Sequence, residues 1–251
     1  MSKELKKVEK ITGGLSKLQK LKGLKPKIEG ELVLPRLYYQ LVIFILDGTG
    51  SMTWEGKTGK SKGEEVDESV KAVLKRLYSS KNRNSFDIAT WVFAEKNKRI
   101  LDVTNMDRFD YNSFDFNPCS YFHENYMYEY LDDTLIEVKQ VCDNYFEKHK
   151  EKNTKALIII LSDGAIKYFD SALGYFNELK MNKRITVSSV LLEDMRWVDD
   201  EEFKEETRSK LKLFASDNDI NKGHKFFLST IDPEEIRKHM IKSISTVSKI
   251  D

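Results

Sequence analysis

Two short polar segments carry the side chains best suited to chemistry. The first is Asp47-Gly48-Thr49-Gly50-Ser51-Met52, directly after the apolar run Leu41–Leu46. The second is Ser162-Asp163-Gly164, directly after Ala156–Leu161. Asp47, Thr49 and Ser51 alternate along the chain, so one turn can aim a carboxylate and two hydroxyls at a common point. Oxygen donors alone suit a hard divalent cation such as Mg²⁺ or Mn²⁺. Neither segment contains a His or Cys, which argues against zinc. Taken singly, either loop is explained equally well by helix capping and turn bonding. Two matched loops on two strands favour a site.

The elements that must position these loops follow from hydrophobic periodicity. Leu37–Leu46, Phe86–Ala94, Lys98–Val103, Lys155–Leu161, Ile185–Leu192 and Lys225–Leu228 read as strands. The second and third are close enough in sequence to form a hairpin. Glu64–Tyr78, Tyr126–His149, Phe169–Met181, Glu201–Ala215 and Pro233–Val247 read as helices. Asp232 is placed to cap the last of these, with Pro233 in its first turn. Strands alternating with helices predict an α/β fold. The expected architecture is a Rossmann-like, doubly wound, mostly parallel six-stranded sheet with helices on both faces. In such sheets ligands bind outside the carboxyl ends of the strands, where both Asp-containing loops fall.

With their apolar lead-in, these residues resemble a known family. LVIFILDGTGSM is similar to the first motif of von Willebrand factor A domains, an Asp-x-Ser-x-Ser sequence in which Thr49 takes the place of the first Ser. IIILSDG resembles the fourth-strand motif of the same family. The resemblance covers about residues 31–251, and the lead-in LPRLYYQLVIFILD is most like bacterial stand-alone A domains of tellurite-resistance-like gene clusters. It implies a metal-ion-dependent adhesion site with Mg²⁺ or Mn²⁺ held by Asp47, Thr49, Ser51 and Asp163, and completed by an acidic group of a partner protein. The family's Gly-Gly-Thr loop is replaced here by His123-Glu124-Asn125-Tyr126, which puts Asn125 where the Thr would stand; Ser120 or Glu124 are the other oxygen donors nearby. The resemblance therefore implies an interaction module of an intracellular, multi-component bacterial or phage-related system, with no catalysis of its own.

Composition sets the bounds. The chain has 251 residues, 40% hydrophobic and 33% charged, which is a soluble globular balance. Its formal charge of +1 conceals an asymmetry: residues 1–27 hold nine Lys against two Glu, a local +7 that leaves −6 on the rest. A nucleic-acid role for the body is thereby disfavoured. Residues 1–30 are expected to be a basic extension, with a helical stripe through Leu5, Val8, Ile11, Leu15, Leu18, Leu21 and Leu24 broken by Gly13-Gly14; residues 31–251 are expected to be one A-like domain. Cys119 and Cys142 have no CxxC spacing and read as inert thiols. The N-terminus lacks a signal-peptide core, so a cytoplasmic protein is expected.

Other segments point to other chemistry. Gly56-Lys57-Thr58-Gly59-Lys60-Ser61 suggests a phosphate loop but lacks its first glycine. The main rival reading is phosphoryl transfer. Asp47-Gly48-Thr49-Gly50-Ser51-Met52-Thr53 also resembles the aspartyl-phosphate motif of haloacid-dehalogenase-fold enzymes, with Asp47 as nucleophile, although the motif's Lys is missing. A metal-free scaffold is the third reading. Finally, residues 109–130 hold nine of the 28 aromatics. Tyr111, Phe116, Tyr121 and Phe122 are expected to shape a partner-docking surface beside the ion, against the plainer reading that they pack the loop on itself.

Overall fold

The computed structural model describes residues 36, 38–122, 130–150, 152–164, 166–194, 201–217 and 223–248. The expected N-terminal extension, residues 1–30, lies outside them. Six strands, β1 (Tyr39–Asp47), β2 (Phe86–Phe93), β3 (Asn97–Asn105), β4 (Thr154–Ser162), β5 (Ile185–Leu192) and β6 (Phe227–Thr230), form one sheet in the order β3-β2-β1-β4-β5-β6. All neighbours are parallel except the β2–β3 hairpin. The five long helices are α1 (Lys62–Tyr78), α2 (Asp132–Lys148), α3 (Phe169–Met181), α4 (Glu201–Phe214) and α5 (Pro233–Ser248).

The alternation along β1 separates the two apolar layers. Val42, Phe44 and Leu46 point into a core shared with Val66, Val70 and Val73 of α1 and Ile236 and Met240 of α5. Leu41, Ile43 and Ile45 point the opposite way, into a core shared with Leu135 and Val138 of α2, Phe176 of α3 and Phe214 of α4. Side chains of successive strand residues face opposite sides of a sheet, so a strand covered on both faces must be apolar throughout. The expected six-stranded α/β sheet with helices on both faces is therefore the fold observed.

Local chemistry sets the helix ends. Ser61 caps α1: its hydroxyl accepts from the Glu64 amide at 3.2 Å while the Glu64 carboxylate accepts from the Ser61 amide at 2.8 Å, a reciprocal capping box. Asp232 accepts from the Glu234 amide at 2.9 Å ahead of Pro233. Several boundaries differ from expectation, the largest shift being at α2. Of the helix predicted from Tyr126, residues 126–129 lie outside the described residues and the helix runs from Asp132; just ahead of it the Tyr130 amide donates to the Ala94 carbonyl at 2.9 Å and ties the chain to the end of β2.

The strand order reverses between β1 and its two neighbours. The chain goes from β1 to β2 on one side and returns to β4 on the other. Leu46 pairs with Leu161, so the loops after β1 and β4 leave the sheet side by side at this switch point.

Candidate functional site

Asp47 ends β1 and is fully buried. Its Oδ1 accepts from the Thr49 amide at 2.9 Å and the Thr49 hydroxyl at 2.7 Å. The Thr49 hydroxyl lies 3.1 Å from that of Ser51, and Ser51 Oγ donates to Asp163 Oδ1 at 2.8 Å. The predicted alternation thus brings Asp47, Thr49, Ser51 and Asp163 into one chain of hydrogen bonds across the two loops. Asn125 lies outside the described residues, and Ser120 is exposed in a short 3₁₀ turn, Pro118–Tyr121.

The loops owe their shape to glycine at two points. A Cβ on Gly48 would lie 2.8 Å from both the Phe122 ring and the Val92 side chain, so only a glycine lets Phe122 close over the first loop. Gly164 turns the second loop at φ 129°, a region that L side chains avoid.

The electrostatics of the site are unusual. Burial, and after it the nearby carboxylate of Asp163, raises the Asp47 pKa to about 6, against the lowering pull of the Thr49 amide, the Thr49 hydroxyl and the Ser162 hydroxyl. Asp47 Oδ2 is buried with no hydrogen-bond partner. A buried carboxylate oxygen normally finds one, because an unmet acceptor costs on the order of 1–3 kcal/mol. The same negative region is felt at Cys119, whose thiol is pushed up to about 12 by burial and then by Asp47 and Asp163. Cys119 and Cys142 are both free thiols.

Sequence reasoning misses two members of the cluster. The ammonium of Lys62 lies 2.7 Å from Asp163 Oδ2 and 2.8 Å from Asp194 Oδ2, with its side chain only 5% exposed. Lys62 is the first residue of α1, two positions earlier than the helix is expected to begin. Asp194 stands just past the end of β5 and is buried. A signal for it is present, because it follows an apolar strand as Asp47 and Asp163 do. Nothing local marks Lys62, which lies 101 residues from Asp163.

The aromatic segment is placed differently from expectation. Phe116 is fully buried and Tyr111 nearly so, which moves them from the expected docking surface into the core. The Phe114 and Phe116 rings lie 4.8 Å apart and Tyr111 packs 5.8 Å from Tyr78. The Phe116 amide donates to Asp67 of α1 at 2.8 Å, fixing the loop to that helix. The segment therefore largely joins the core layer between the sheet and α1. Tyr121 and Phe122 are half-buried, with Phe122 against Gly48 and the Tyr121 hydroxyl donating to the Asp115 carbonyl.

Among the described residues no three His, Cys, Asp or Glu side chains are gathered as a metal site. The donor set at Asp47 is two carboxylates and two hydroxyls. Oxygen donors of this kind, with one buried carboxylate oxygen unengaged, fit a hard divalent cation.

No family model matches the chain, and no curated protein matches it. Solved structures do. The pilus adhesin SpaC from Lactobacillus rhamnosus GG, in its open conformation, is 11% identical with a TM-score of 0.63 over 85% of this chain and 30% of that one. Proximal thread matrix protein 1 from the mussel byssus is 11% identical with a TM-score of 0.56 over 84% of this chain and 47% of that one. The manganese-loaded TRAP protein of Plasmodium vivax is 14% identical with a TM-score of 0.54 over 85% of this chain and 74% of that one. The chain spans less than half the length of the adhesin and of the mussel protein. At these identities the likeness concerns the fold, and the fold is consistent with a von Willebrand factor A-like arrangement. Among the described residues no helix is long and apolar enough to cross a membrane.

Proposed function

We propose that this domain is a metal-ion-dependent protein-interaction module, acting within an intracellular multi-component system as the stand-alone bacterial A domains it resembles would. The observation that carries this reading is the buried, unengaged Oδ2 of Asp47 beside two hydroxyls and a second carboxylate. Asp47, Thr49, Ser51 and Asp163 would hold Mg²⁺ or Mn²⁺, with Asn125 as the added donor. A bound ion supplies a Lewis-acidic point that an acidic side chain of a partner protein can ligate. The chain's own residues orient the donors: Thr49 and Ser51 are held by hydrogen bonds to Asp47 and Asp163, and Phe122 covers the first loop. Likeness to a manganese-loaded protein and to a pilus adhesin supports the reading at the level of fold. We assign no catalysis of its own to the site. For a phosphoenzyme, Asp47 would have to meet a phosphate ester, and its carboxylate has no exposed surface.

The test is thermal unfolding with Mg²⁺ or Mn²⁺ against chelator. At about a hundred times the dissociation constant, a ligand bound only by the folded state adds roughly 2.7 kcal/mol. For a domain of this size that is a rise of roughly 5–10 °C. Asp47→Ala should abolish the rise while keeping the fold, and chelator should release a partner captured by the wild type. Lys62 favours a second reading, a metal-free scaffold in which its ammonium is the cation the cluster uses. Absence of any cation-dependent shift in the wild type would select that reading, and turnover of a generic phosphate ester would select the phosphoenzyme.

A further inference from the structure

We propose that Lys62 is a built-in counter-cation that sets how tightly this site takes a divalent ion. The inference rests on the metal-dependent reading above and concerns the regulation of that same site.

Lys62 is costly where it stands. It opens α1, where the helix dipole presents its positive end and disfavours a cation. Its side chain is removed from water, which costs several kcal/mol for an ammonium unless the charge is paired. Two carboxylates from two different strand ends provide that pairing, at 2.7 Å from Asp163 and 2.8 Å from Asp194. The Trp54 ring lies 5.6 Å away and closes another side. Among the described residues the other lysine ion pairs are single and at least partly exposed, such as Lys57 with Asp232. Lys62 is instead buried, and it is joined to the candidate ligands themselves.

The pairing has a direct consequence for a metal. Asp163 has two oxygens: Oδ1 faces Ser51 and the hydroxyl pair, while Oδ2 is committed to Lys62. A divalent ion approaching Asp47, Thr49 and Ser51 therefore meets an Asp163 whose charge is already shared with an ammonium, and it is itself repelled by that ammonium in a region of low dielectric. Asp194 acts in the opposite sense, because it draws Lys62 away from Asp163. Without metal, the same connections run unbroken from Asp47 through Thr49, Ser51 and Asp163 to Lys62 and Asp194, so the donors are held in place before any ion arrives. Lys62 thus trades affinity for pre-organisation.

The experiment is a calorimetric titration of the full chain with MnCl₂, alongside thermal unfolding with and without the ion. Lys62→Met keeps the unbranched stem of the side chain, one atom shorter, and removes its charge. It should unfold at lower temperature in chelator, bind Mn²⁺ on the order of tenfold more tightly than the wild type, and gain more from the ion on heating. Lys62→Arg keeps the charge and should bind as the wild type does. Asp194→Asn leaves Lys62 to Asp163 alone and should weaken binding severalfold, which keeps the inference open to disproof should Lys62→Met fail to fold. Equal or weaker binding by Lys62→Met, or unchanged binding by Asp194→Asn, overturns the inference and leaves the metal-dependent reading standing. Binding by Lys62→Met with none by the wild type upholds the role of Lys62 and overturns that reading for the natural chain. Binding by neither overturns both.

Discussion

Two aspartates on neighbouring strands, Asp47 and Asp87, are both buried, and the molecule treats them in opposite ways. Asp87 lies at the start of β2, at the amino end of the parallel strands. Arg36 grips it with two hydrogen bonds of 2.8 and 2.9 Å, Asn105 donates at 3.0 Å and the Tyr145 hydroxyl at 2.6 Å. Every oxygen is engaged, and the donors come from ahead of β1, from the end of β3 and from α2. Asp47 ends β1 at the opposite edge, with only Oδ1 bonded and with Asp163 adding to its negative surroundings. The same fold can satisfy a buried carboxylate completely and does so where the carboxylate ties elements together. At the switch point it leaves one oxygen open. Stability accounts for Asp87, whereas Asp47 Oδ2 has no comparable partner among the described residues.

The strongest way to break this contrast is Asp87→Ala. Removing one member of a buried, hydrogen-bonded ion pair typically costs about 3–5 kcal/mol, because the remaining charge stays buried without compensation. Arg36 retains some exposure, which points to the lower end of that range. Burial lowers the pKa of Arg36, but the hydrogen bond and charge of Asp87 outweigh it and the net shift is upward, as expected of a pair that stabilises. Urea unfolding in chelator should show the loss, with no change in Mn²⁺ affinity. A loss below about 1 kcal/mol would make Asp87 as dispensable as a surface pair and remove the contrast.

Asp47→Asn should act with the opposite sign in chelator. The Asp47 carboxyl has its folded-state pKa raised from 3.8 to about 6, first by burial and then by Asp163. The folded chain therefore holds this proton more tightly than the unfolded chain. The resulting stabilisation is complete below pH 4 and is lost as pH rises through about 6. At pH 7.5 the ionised group weighs against the metal-free fold. The Asn variant has no such charge. It should equal or exceed the wild type in stability at pH 7.5, lose that advantage at pH 4.5, and show no gain from Mn²⁺. Destabilisation by Asn at pH 7.5 would place Asp47 with Asp87 as a structural carboxylate.

What is legible in the sequence is whatever depends on neighbours along the chain. Phe169–Met181 and Ile185–Leu192 match their predicted bounds to the residue, because periodicity and flanking polar residues bound them. Asp47, Thr49, Ser51 and Asp163 stand out because each loop follows an apolar strand and the α/β pattern puts strand ends together. What stays hidden depends on contacts distant in sequence. Lys62 looks like one more solvated lysine beside a capping serine. Arg36 and Asp87 are 51 positions apart with nothing local to join them. Phe116 and Tyr111 are misplaced by sequence reasoning because an aromatic-rich loop reads the same whether its rings face a partner or each other; here Asp67 and Tyr78 of α1 draw them inward.

The smallest expected effect separates geometry from charge at the site. Gly48→Ala adds one methyl group 2.8 Å from the Phe122 ring and the Val92 side chain and removes no charge or hydrogen-bonding side chain. Contacts that short require movement. Val92 is held in β2 by the packing of the sheet, whereas Phe122 follows the 3₁₀ turn Pro118–Tyr121 and is half-buried, so the ring should give way. Overpacking of this kind costs about 1–3 kcal/mol, with the lower end expected when one partner can swing aside. If Phe122 only covers the first loop, urea unfolding will register about 1 kcal/mol and Mn²⁺ affinity will fall by less than about threefold. Should Gly48→Ala instead abolish Mn²⁺ binding with the fold intact, the openness of Asp47 depends on the aromatic loop holding Thr49 and Ser51 in place, and the difference between the two aspartates is one of loop packing rather than of unpaired charge.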